Sequence, residues 1–243
     1  MFKQVNFVFK RIVSMLFALV LGCMFLNSQY VLSCEKLSCE KFILCDGFSY
    51  ESLPDDYKIP VSNEDDFKNN KYVHREDLRL LKIKYVDFEG KEQQGELVVA
   101  HKTVDPKTNE TIDVSKEVLE IFKELFEAKY PIRKMSCFYF RNIAGTDKLS
   151  WHAYGLAVDI NYKENPCVSI DQSTGKVTGT IPSDATKYID RSLNEKGMIK
   201  DGDACHKAFV SRGWEWGGSW DSPKDYMHFQ RFSWDSPRPS PKY

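Results

Sequence analysis

The chain has 243 residues, of which 42% are hydrophobic and 28% charged, with 13 glycines and 10 prolines. This composition is typical of one globular domain with extensions, and it excludes collagen-like, coiled-coil and fully disordered chains. The 34 basic and 35 acidic side chains give a formal net charge of −1 and are scattered along the chain. Because no basic field is present to bind a phosphate backbone, nucleic acid is not expected as a partner.

The N-terminal segment has the pattern of a targeting signal. Three basic side chains precede an apolar run over residues 12–26, which is short for a membrane span. We therefore expect residues 1–33 to be a signal peptide or a membrane or lipid anchor. The protein would then be exported to the cell envelope and be periplasmic or extracellular. Residues 20–23 resemble a bacterial lipoprotein box, in which Cys23 would carry lipid, and an uncleaved membrane tether is the other alternative.

Seven cysteines lie along the chain, and six remain if one is removed with the signal. An exported protein retains disulfides, so one to three bridges are expected. Cys167 and Cys205 are the pair most easily imagined, since their bridge would close a long insertion, but six cysteines allow 15 connectivities. The rival interpretation is a zinc knot formed by Cys34, Cys39 and Cys45. These cysteines lack C-x-x-C spacing, and the knot lacks a fourth ligand.

Composition shifts divide the rest of the chain into three segments. Residues 34–71 are polar and contain cysteines and two prolines, which predicts an arm or linker. Residues 72–235 are expected to form the compact domain, and residues 236–243 a C-terminal tail. Within the domain, residues 163–207 are polar and irregular, which predicts a long insertion.

The domain is predicted to be α+β. Alternating apolar residues over 81–85, a turn signal at Gly90 and the apolar run 97–100 predict a β-hairpin. Short strands are expected over 135–140 and 155–162. Because strands outnumber helices and the two do not alternate, a small antiparallel sheet flanked by helices is favoured.

One amphipathic helix is predicted between these strands. Apolar residues recur at helical spacing from Val118 to Phe126, and Pro131 follows them. Ser115 precedes the pattern and is the predicted N-cap.

Residues 150–161 carry the strongest chemical signal. In a strand from Gly155 onward, Asp159 shares a face with Gly155 and Ala157, which leave open space beside its carboxylate. A turn before the strand would bring His152 over the same face. An imidazole and a carboxylate are a suitable start for a divalent metal site.

A third ligand is expected from the segment 214–229, which is rich in aromatic residues and glycine and contains Trp216 and His228. Such a composition suits the wall of a concave, partly desolvated pocket. Asp225 lies three residues before His228, so in a regular strand their side chains would point to opposite faces. A shared site therefore requires a bend or a helical turn between them.

Two motifs in this order resemble the zinc D-alanyl-D-alanine carboxypeptidases and L-alanyl-D-glutamate peptidases, which cut bacterial cell-wall stem peptides. Their core is shared with the hedgehog signalling domain. The resemblance spans about residues 80–232 and includes a W-x-W-G-G run at 214–218. The S-x-H-x-x-G-x-A-x-D motif and the acidic-x-x-H motif are matched by Ser150, His152, Gly155, Ala157, Asp159, Asp225 and His228.

The resemblance implies a hedgehog-like, D,D-peptidase-like fold over 72–235 and one zinc ion bound by His152, Asp159 and His228. Three protein ligands leave a fourth position for water, whose pKa zinc lowers to about 7. Asp225 is implied as the general base that takes the proton of this water.

Further side chains are expected around the substrate. Arg141 is the candidate for a cation that shares the oxyanion charge or clamps a substrate carboxylate, because a guanidinium binds either in a bidentate manner. Ser150, Tyr154 and Trp216 are expected to contact the substrate or to orient the metal ligands.

The expected function is that of a zinc metallopeptidase acting on peptidoglycan stem peptides, with D-Ala-D-Ala carboxypeptidase activity through a metal-activated water. Two alternatives stay open: an L-alanyl-D-glutamate endopeptidase on the same scaffold, and a non-catalytic, zinc-stabilised binding module. The acidic residue at 225 favours catalysis, because a binding module has no need of a base.

Overall fold

A computed structural model describes residues 41–242 of the chain. The predicted signal or anchor over 1–33 lies outside the described residues, and so do Cys23, Cys34 and Cys39 of the predicted lipid anchor and zinc knot. In the range 41–242, none of the helices combines the length and the apolar character that a membrane crossing requires.

The described chain contains 13 strands and 3 α-helices. The strands are β1 (Lys41–Cys45), β2 (Phe48–Ser52), β3 (Leu78–Val86), β4 (Glu92–Ala100), β5 (Lys102–Val104), β6 (Thr111–Asp113), β7 (Met135–Ser136), β8 (Ala157–Ile160), β9 (Cys167–Ile170), β10 (Val177–Ile181), β11 (Glu215–Trp216), β12 (Lys224–Asp225) and β13 (His228–Gln230). The helices are α1 (Glu64–Asn69), α2 (Val114–Glu127) and α3 (Ala204–Val210). The α+β class is thereby confirmed.

The largest sheet is antiparallel, has the strand order β1-β2-β3-β4 and includes the predicted hairpin. β3 and β4 pair without interruption from Leu78 opposite Ala100 to Val86 opposite Glu92. Helix α2 packs on this sheet through its predicted apolar stripe, whose buried members are Val118, Leu119, Ile121, Phe122 and Leu125. Burial of this stripe supplies the main core of the domain.

The N-cap of α2 differs from the prediction. The helix begins at Val114, and the carboxylate of Asp113 accepts a hydrogen bond from the backbone N–H of Lys116. Ser115 is already inside the first turn, where its buried hydroxyl donates to Asp113 Oδ1 at 2.8 Å. Asp113 is the N-cap because it lies just before the first turn and its carboxylate accepts well from the free N–H groups there.

A second antiparallel sheet has the order β11-β13-β8-β7 and carries the candidate site. Its strands β7 and β8 are shorter than the predicted 135–140 and 155–162. Gly155 and Asn161 adopt positive φ angles of 66° and 51°, which end β8 on both sides. After β7 the chain crosses to the first sheet, where the N–H of Phe138 donates to the carbonyl of Val98.

The predicted insertion over 163–207 is more regular than its composition suggested. It contains β9 and β10, which join β12 in a third antiparallel sheet, and the start of α3. The half-buried guanidinium of Arg191 fixes this segment by donating to Asn165 Oδ1 and to the carbonyls of Glu164, Tyr188 and Ile199. Side-chain to backbone hydrogen bonds thus replace the apolar periodicity that would have indicated order in the sequence.

Most of the predicted arm over 34–71 packs into the domain. Strand β2 pairs with β3 over four residues, and β1 pairs with β2 at the edge of the largest sheet. Phe48 and Tyr50 are buried in the common core. The segment is thus an integral part of the sheet from Lys41 onward, because its few apolar residues alternate on one face.

The disulfide predicted between Cys167 and Cys205 is absent, and every cysteine in the described range is a free thiol. Cys205 is wholly buried in α3, where its thiol faces Tyr130. Cys167 is half-buried in β9 and faces Asp225. The two side chains thus have different neighbours, which is why no bridge closes the insertion.

Candidate metal centre

His152 is presented by a short 3-10 turn over Trp151–Tyr154. The hydroxyl of Ser150 caps this turn by accepting from the backbone N–H of His152 at 3.3 Å. Gly155 ends it in the left-handed conformation, and a Cβ there would stand 2.4 Å from the backbone nitrogen of Ala100. The turn is therefore held against β4, and only glycine fits at its end.

Asp159 and His228 come together because β8 and β13 are neighbours in register. The two residues are direct cross-strand partners, with Asp159 on β8 opposite His228 on β13. Their side chains meet at 3.0 Å between Asp159 Oδ1 and His228 Nδ1. Asp159 is half-buried, whereas His152 and His228 are buried.

Each imidazole has an oxygen acceptor on its outer nitrogen. His152 Nδ1 donates to the carbonyl of Cys137 at 2.6 Å, and His228 Nε2 donates to Gln230 Oε1 at 3.1 Å. The Gln230 amide is itself oriented, because its nitrogen donates to Glu215 Oε2 at 2.9 Å. These partners assign the outer hydrogens and leave a lone pair on each inner nitrogen, the usual arrangement around ligated metal ions.

The three inner atoms form a small triangle that fits a metal ion. His152 Nε2 lies 3.1 Å from His228 Nδ1 and 3.2 Å from Asp159 Oδ1. Tetrahedral ligands about 2.0 to 2.1 Å from zinc are about 3.3 Å apart, close to these separations. His152, Asp159 and His228 are also the group of side chains that could hold a metal ion within the described part of the chain.

The electrostatics of this triangle favour a cation. Burial by itself would raise the pKa of Asp159, but the two imidazoles hold the pKa of that carboxyl well below its ordinary range. Burial would lower the pKa of His228, and contact with Asp159 raises it above its ordinary value instead. A half-buried carboxylate with two oriented imidazoles thus attracts positive charge, whether a proton or a metal ion.

Asp225 reaches the same region because the chain bends between β12 and β13. β12 belongs to the third sheet and β13 to the second, and Tyr226 and Met227 form the turn between them. This bend resolves the conflict posed by the three-residue spacing to His228. Asp225 Oδ1 is buried and has no hydrogen-bond partner.

The pKa of Asp225 is shifted in the opposite direction from that of Asp159. Burial raises it to about 6, the charge of His228 opposes the shift, and the negative charge of Asp159 adds to it. The thiol of Cys167 faces the same carboxyl, and burial together with the charge of Asp225 raises the pKa of Cys167 to about 12. The carboxyl is therefore poised to exchange a proton near neutral pH.

Trp216 and the glycines after it shape this bend. Trp216 Nε1 donates to the carbonyl of Tyr226 at 2.9 Å, within the turn. A Cβ at Gly217 would lie 2.5 Å from the carbonyl oxygen of Asp225, and one at Gly218 would lie 2.3 Å from the Trp216 ring. The Trp-Gly-Gly sequence therefore permits a close approach that fixes Asp225.

Arg141 borders a cavity of 410 Å³ that is also lined by His152 and Asp159. Its side chain is exposed, and its Nη1 donates to the carbonyl of the neighbouring Asn142. The guanidinium thus lies on the wall of the space that leads to the candidate metal ligands. Asp225 and His228 are not among the residues that line this cavity.

Ser150 and Tyr154 have supporting contacts. The Ser150 hydroxyl caps the turn that carries His152. The Tyr154 ring packs on Trp151 and Tyr72, with centroids 5.8 and 6.3 Å away. No hydrogen bond joins Tyr154 to the triangle in the described structure, so its contribution there is packing behind the turn.

The sequence interpretation missed the residues that orient the ligands. Gln230 and Glu215 were not selected, and the carbonyl of Cys137 has no sequence signal because every residue offers one. Gln230 had a weak signal, since it shares a strand face with His228 two residues earlier. A polar residue beside a candidate ligand on the same face is a reason to expect an orienting partner.

The fold and the site define an α+β protein with a candidate mononuclear metal centre of two histidines and one aspartate. The sequence model of the D-alanyl-D-alanine carboxypeptidase family matches residues 144–231. This match confirms the resemblance to that zinc peptidase family over the segment that contains both motifs, and it supports a peptidase. Searches of curated proteins and of solved structures each returned no match.

Proposed function

We propose that this protein is an exported zinc metallopeptidase that removes the terminal D-alanine from peptidoglycan stem peptides, on a hedgehog-like, D,D-peptidase-like scaffold. The observation that carries the proposal is the buried and unpartnered oxygen of Asp225 beside three converging ligand atoms. The Cys167 thiol faces this carboxyl, but Oδ1 has no partner, and leaving a buried polar atom unsatisfied is costly for a carboxylate with a purely structural role. A general base needs this free oxygen to receive a proton.

His152, Asp159 and His228 would hold the zinc ion through Nε2, a carboxylate oxygen and Nδ1. When bound in such a site, zinc acts as a Lewis acid for a peptide carbonyl and makes water acidic enough to lose a proton near neutral pH. Cys137 and Gln230 would keep the two imidazoles in the tautomers that ligation requires.

Asp225 carries the proton transfers in this proposal. Its carboxylate takes a proton from the water that attacks the amide carbon, and then delivers it to the nitrogen of the departing amine. Burial raises the pKa of this carboxyl above its ordinary value, which suits both steps, because such a group can accept a proton as a base and still donate it as an acid near neutral pH.

Arg141 would bind the substrate. Its guanidinium is exposed on the cavity wall and makes only a hydrogen bond to the adjacent backbone in the described structure. A carboxypeptidase substrate ends in a carboxylate, for which a guanidinium is the best-suited side chain. The N-terminal pattern of basic residues before an apolar run supports export.

The proposal is tested by digesting defined muropeptides with the full-length, zinc-loaded protein and identifying the fragments by mass spectrometry. Loss of one terminal alanine is the expected result. Release of a fragment cut after L-alanine would assign endopeptidase activity instead. No cleavage with added zinc would favour the binding module.

A matched pair of variants tests the role of Asp225. Asp225→Asn should lower kcat by about 10²- to 10⁴-fold, the usual contribution of a general base, while zinc content per chain stays normal. Asp221→Asn removes the same charge from an exposed position of the same segment and should leave kcat unchanged. Loss of zinc from Asp225→Asn would reassign this carboxylate as a ligand.

A further inference from the structure

The cavity beside the metal centre contains a negative charge that the proposed chemistry does not use. Apart from the candidate ligands, its charged lining consists of Arg141 and Glu96, and most of the remaining lining is apolar or aromatic. Glu96 lies on β4, and its side chain is exposed. The cavity therefore carries a positive group at Arg141 and a negative group at Glu96.

Glu96 is not neutralised from within the protein. Its cross-strand partner is Lys82, but the Lys82 ammonium pairs with Glu51 at 3.1 Å. Over residues 41–242, no ion pair or hydrogen bond engages the Glu96 carboxylate, although its charge contributes to raising the pKa of the half-buried Tyr57 hydroxyl. The charge is therefore available to a ligand in the cavity.

The cavity lies beside two strand edges. It lies between the edge strand β4, which contributes residues 96–98, and residues 135–139, which begin with the edge strand β7. Edge strands bind extended peptides through their backbone and leave alternate side chains to select the sequence. A peptide in this cavity that reaches the metal ligands would pass the Glu96 carboxylate.

We propose that Glu96 is a specificity-determining residue that selects peptides with a protonated amine close to the scissile bond. This inference rests on the proposed peptidase function. Arg141 would bind the carboxylate of the peptide and Glu96 its ammonium group, so the two charges together fix the direction of the chain. A neutral or acidic side chain at the same position would leave Glu96 without a partner.

The test compares two peptides that differ only in one charge. They are L-Ala-γ-D-Glu-L-Lys-D-Ala-D-Ala and its Nε-acetyl-lysine analogue, each given to the full-length, zinc-loaded protein. The wild type should show a KM about fivefold lower for the lysine peptide, as expected for one partly screened ion pair. Higher salt should shrink this difference.

Two variants identify the residue responsible. Glu96→Gln keeps the shape of the side chain, and it should abolish the difference in KM between the two peptides. Glu92→Gln removes the same charge from the same strand outside the cavity and should preserve the difference. Equal KM values in the wild type, or a preference that survives Glu96→Gln, would overturn the inference and leave the proposed function intact.

Failure of the proposed function is a separate outcome. If neither peptide is cleaved, calorimetric titration of both peptides into the wild type, Glu96→Gln and Glu92→Gln tests the role of Glu96 in binding. Tighter binding of the lysine peptide that only Glu96→Gln removes supports the role of Glu96. Equal binding of the two peptides, or no binding of either, refutes it.

Discussion

The orienting role of Gln230 leads to the sharpest prediction for the metal centre. Gln230→Met preserves the length of the side chain but removes the acceptor of the His228 Nε2 hydrogen bond, which is 3.1 Å long. His228 is then free to change its tautomer or to rotate, and Nδ1 no longer faces the centre in a fixed state. We expect zinc affinity to fall, because orienting partners of this kind contribute about 10- to 100-fold to metal binding.

The expected loss of zinc affinity can be distinguished from a general loss of protein stability. A 10- to 100-fold loss of zinc affinity corresponds to about 1.4 to 2.7 kcal/mol. Loss of the buried hydrogen bonds of Gln230 should lower the free energy of unfolding of the zinc-free protein by about 1 kcal/mol. Glu215 retains partners, since its carboxylate also accepts from Trp220 Nε1 at 2.7 Å and from the backbone of Trp234.

The assay is competition for zinc against a chromophoric chelator, with Gln172→Met as the control because Gln172 is exposed in a turn far from the ligands along the chain. The wild type and Gln172→Met should have the same Kd for zinc, and Gln230→Met a higher one. An unchanged Kd in Gln230→Met, with the protein folded, would refute the assigned tautomer of His228 and the ligand atom derived from it.

Two further predictions concern the metal and the bend. Removing zinc with a chelator should lower Tm, and zinc at 100 times its Kd should restore about 2.7 kcal/mol of stability; identical melting curves with and without zinc would contradict a metal site in the folded protein. Gly217→Ala places a methyl group 2.5 Å from the carbonyl oxygen of Asp225, so kcat should fall while zinc content is retained. Gly179→Ala, where the nearest atom is 3.8 Å away, should leave kcat unchanged.

Parts of the fold were predictable because their signals are local. The hairpin of β3 and β4 follows from alternation and a turn, and α2 from helical spacing, since both elements bury one face against a core. β1 and β2 were missed because each is only five residues long, although the Asp46-Gly47 turn that joins them is a local hairpin signal. The contact that joins this hairpin to the sheet, the pairing of β2 with β3, is distant in sequence and leaves no local pattern.

The candidate site likewise has features that the sequence predicts and features that it does not. The ligand residues were identifiable because motif spacing fixes a turn before β8 and an acidic residue on its open face. The free oxygen of Asp225 was not, because it depends on where β12 leaves one sheet and β13 enters another. The carbonyl of Cys137 and the Gln230 amide are equally products of tertiary packing.

Two carboxylates occupy this centre, and their surroundings separate their chemistry. Asp159 lies between two imidazoles, which stabilise its charged form and keep its pKa low. Asp225 is half-buried, its Oδ1 is fully buried and unpaired, and the charge of Asp159 is nearby, so that its pKa is raised to about 6. A carboxylate that stays ionised suits a cation, whereas one that titrates near neutral pH suits proton transfer. The opposite directions of the two shifts therefore support the proposed division into ligand and base, and they arise from the bend that removes Asp225 from the strand of His228.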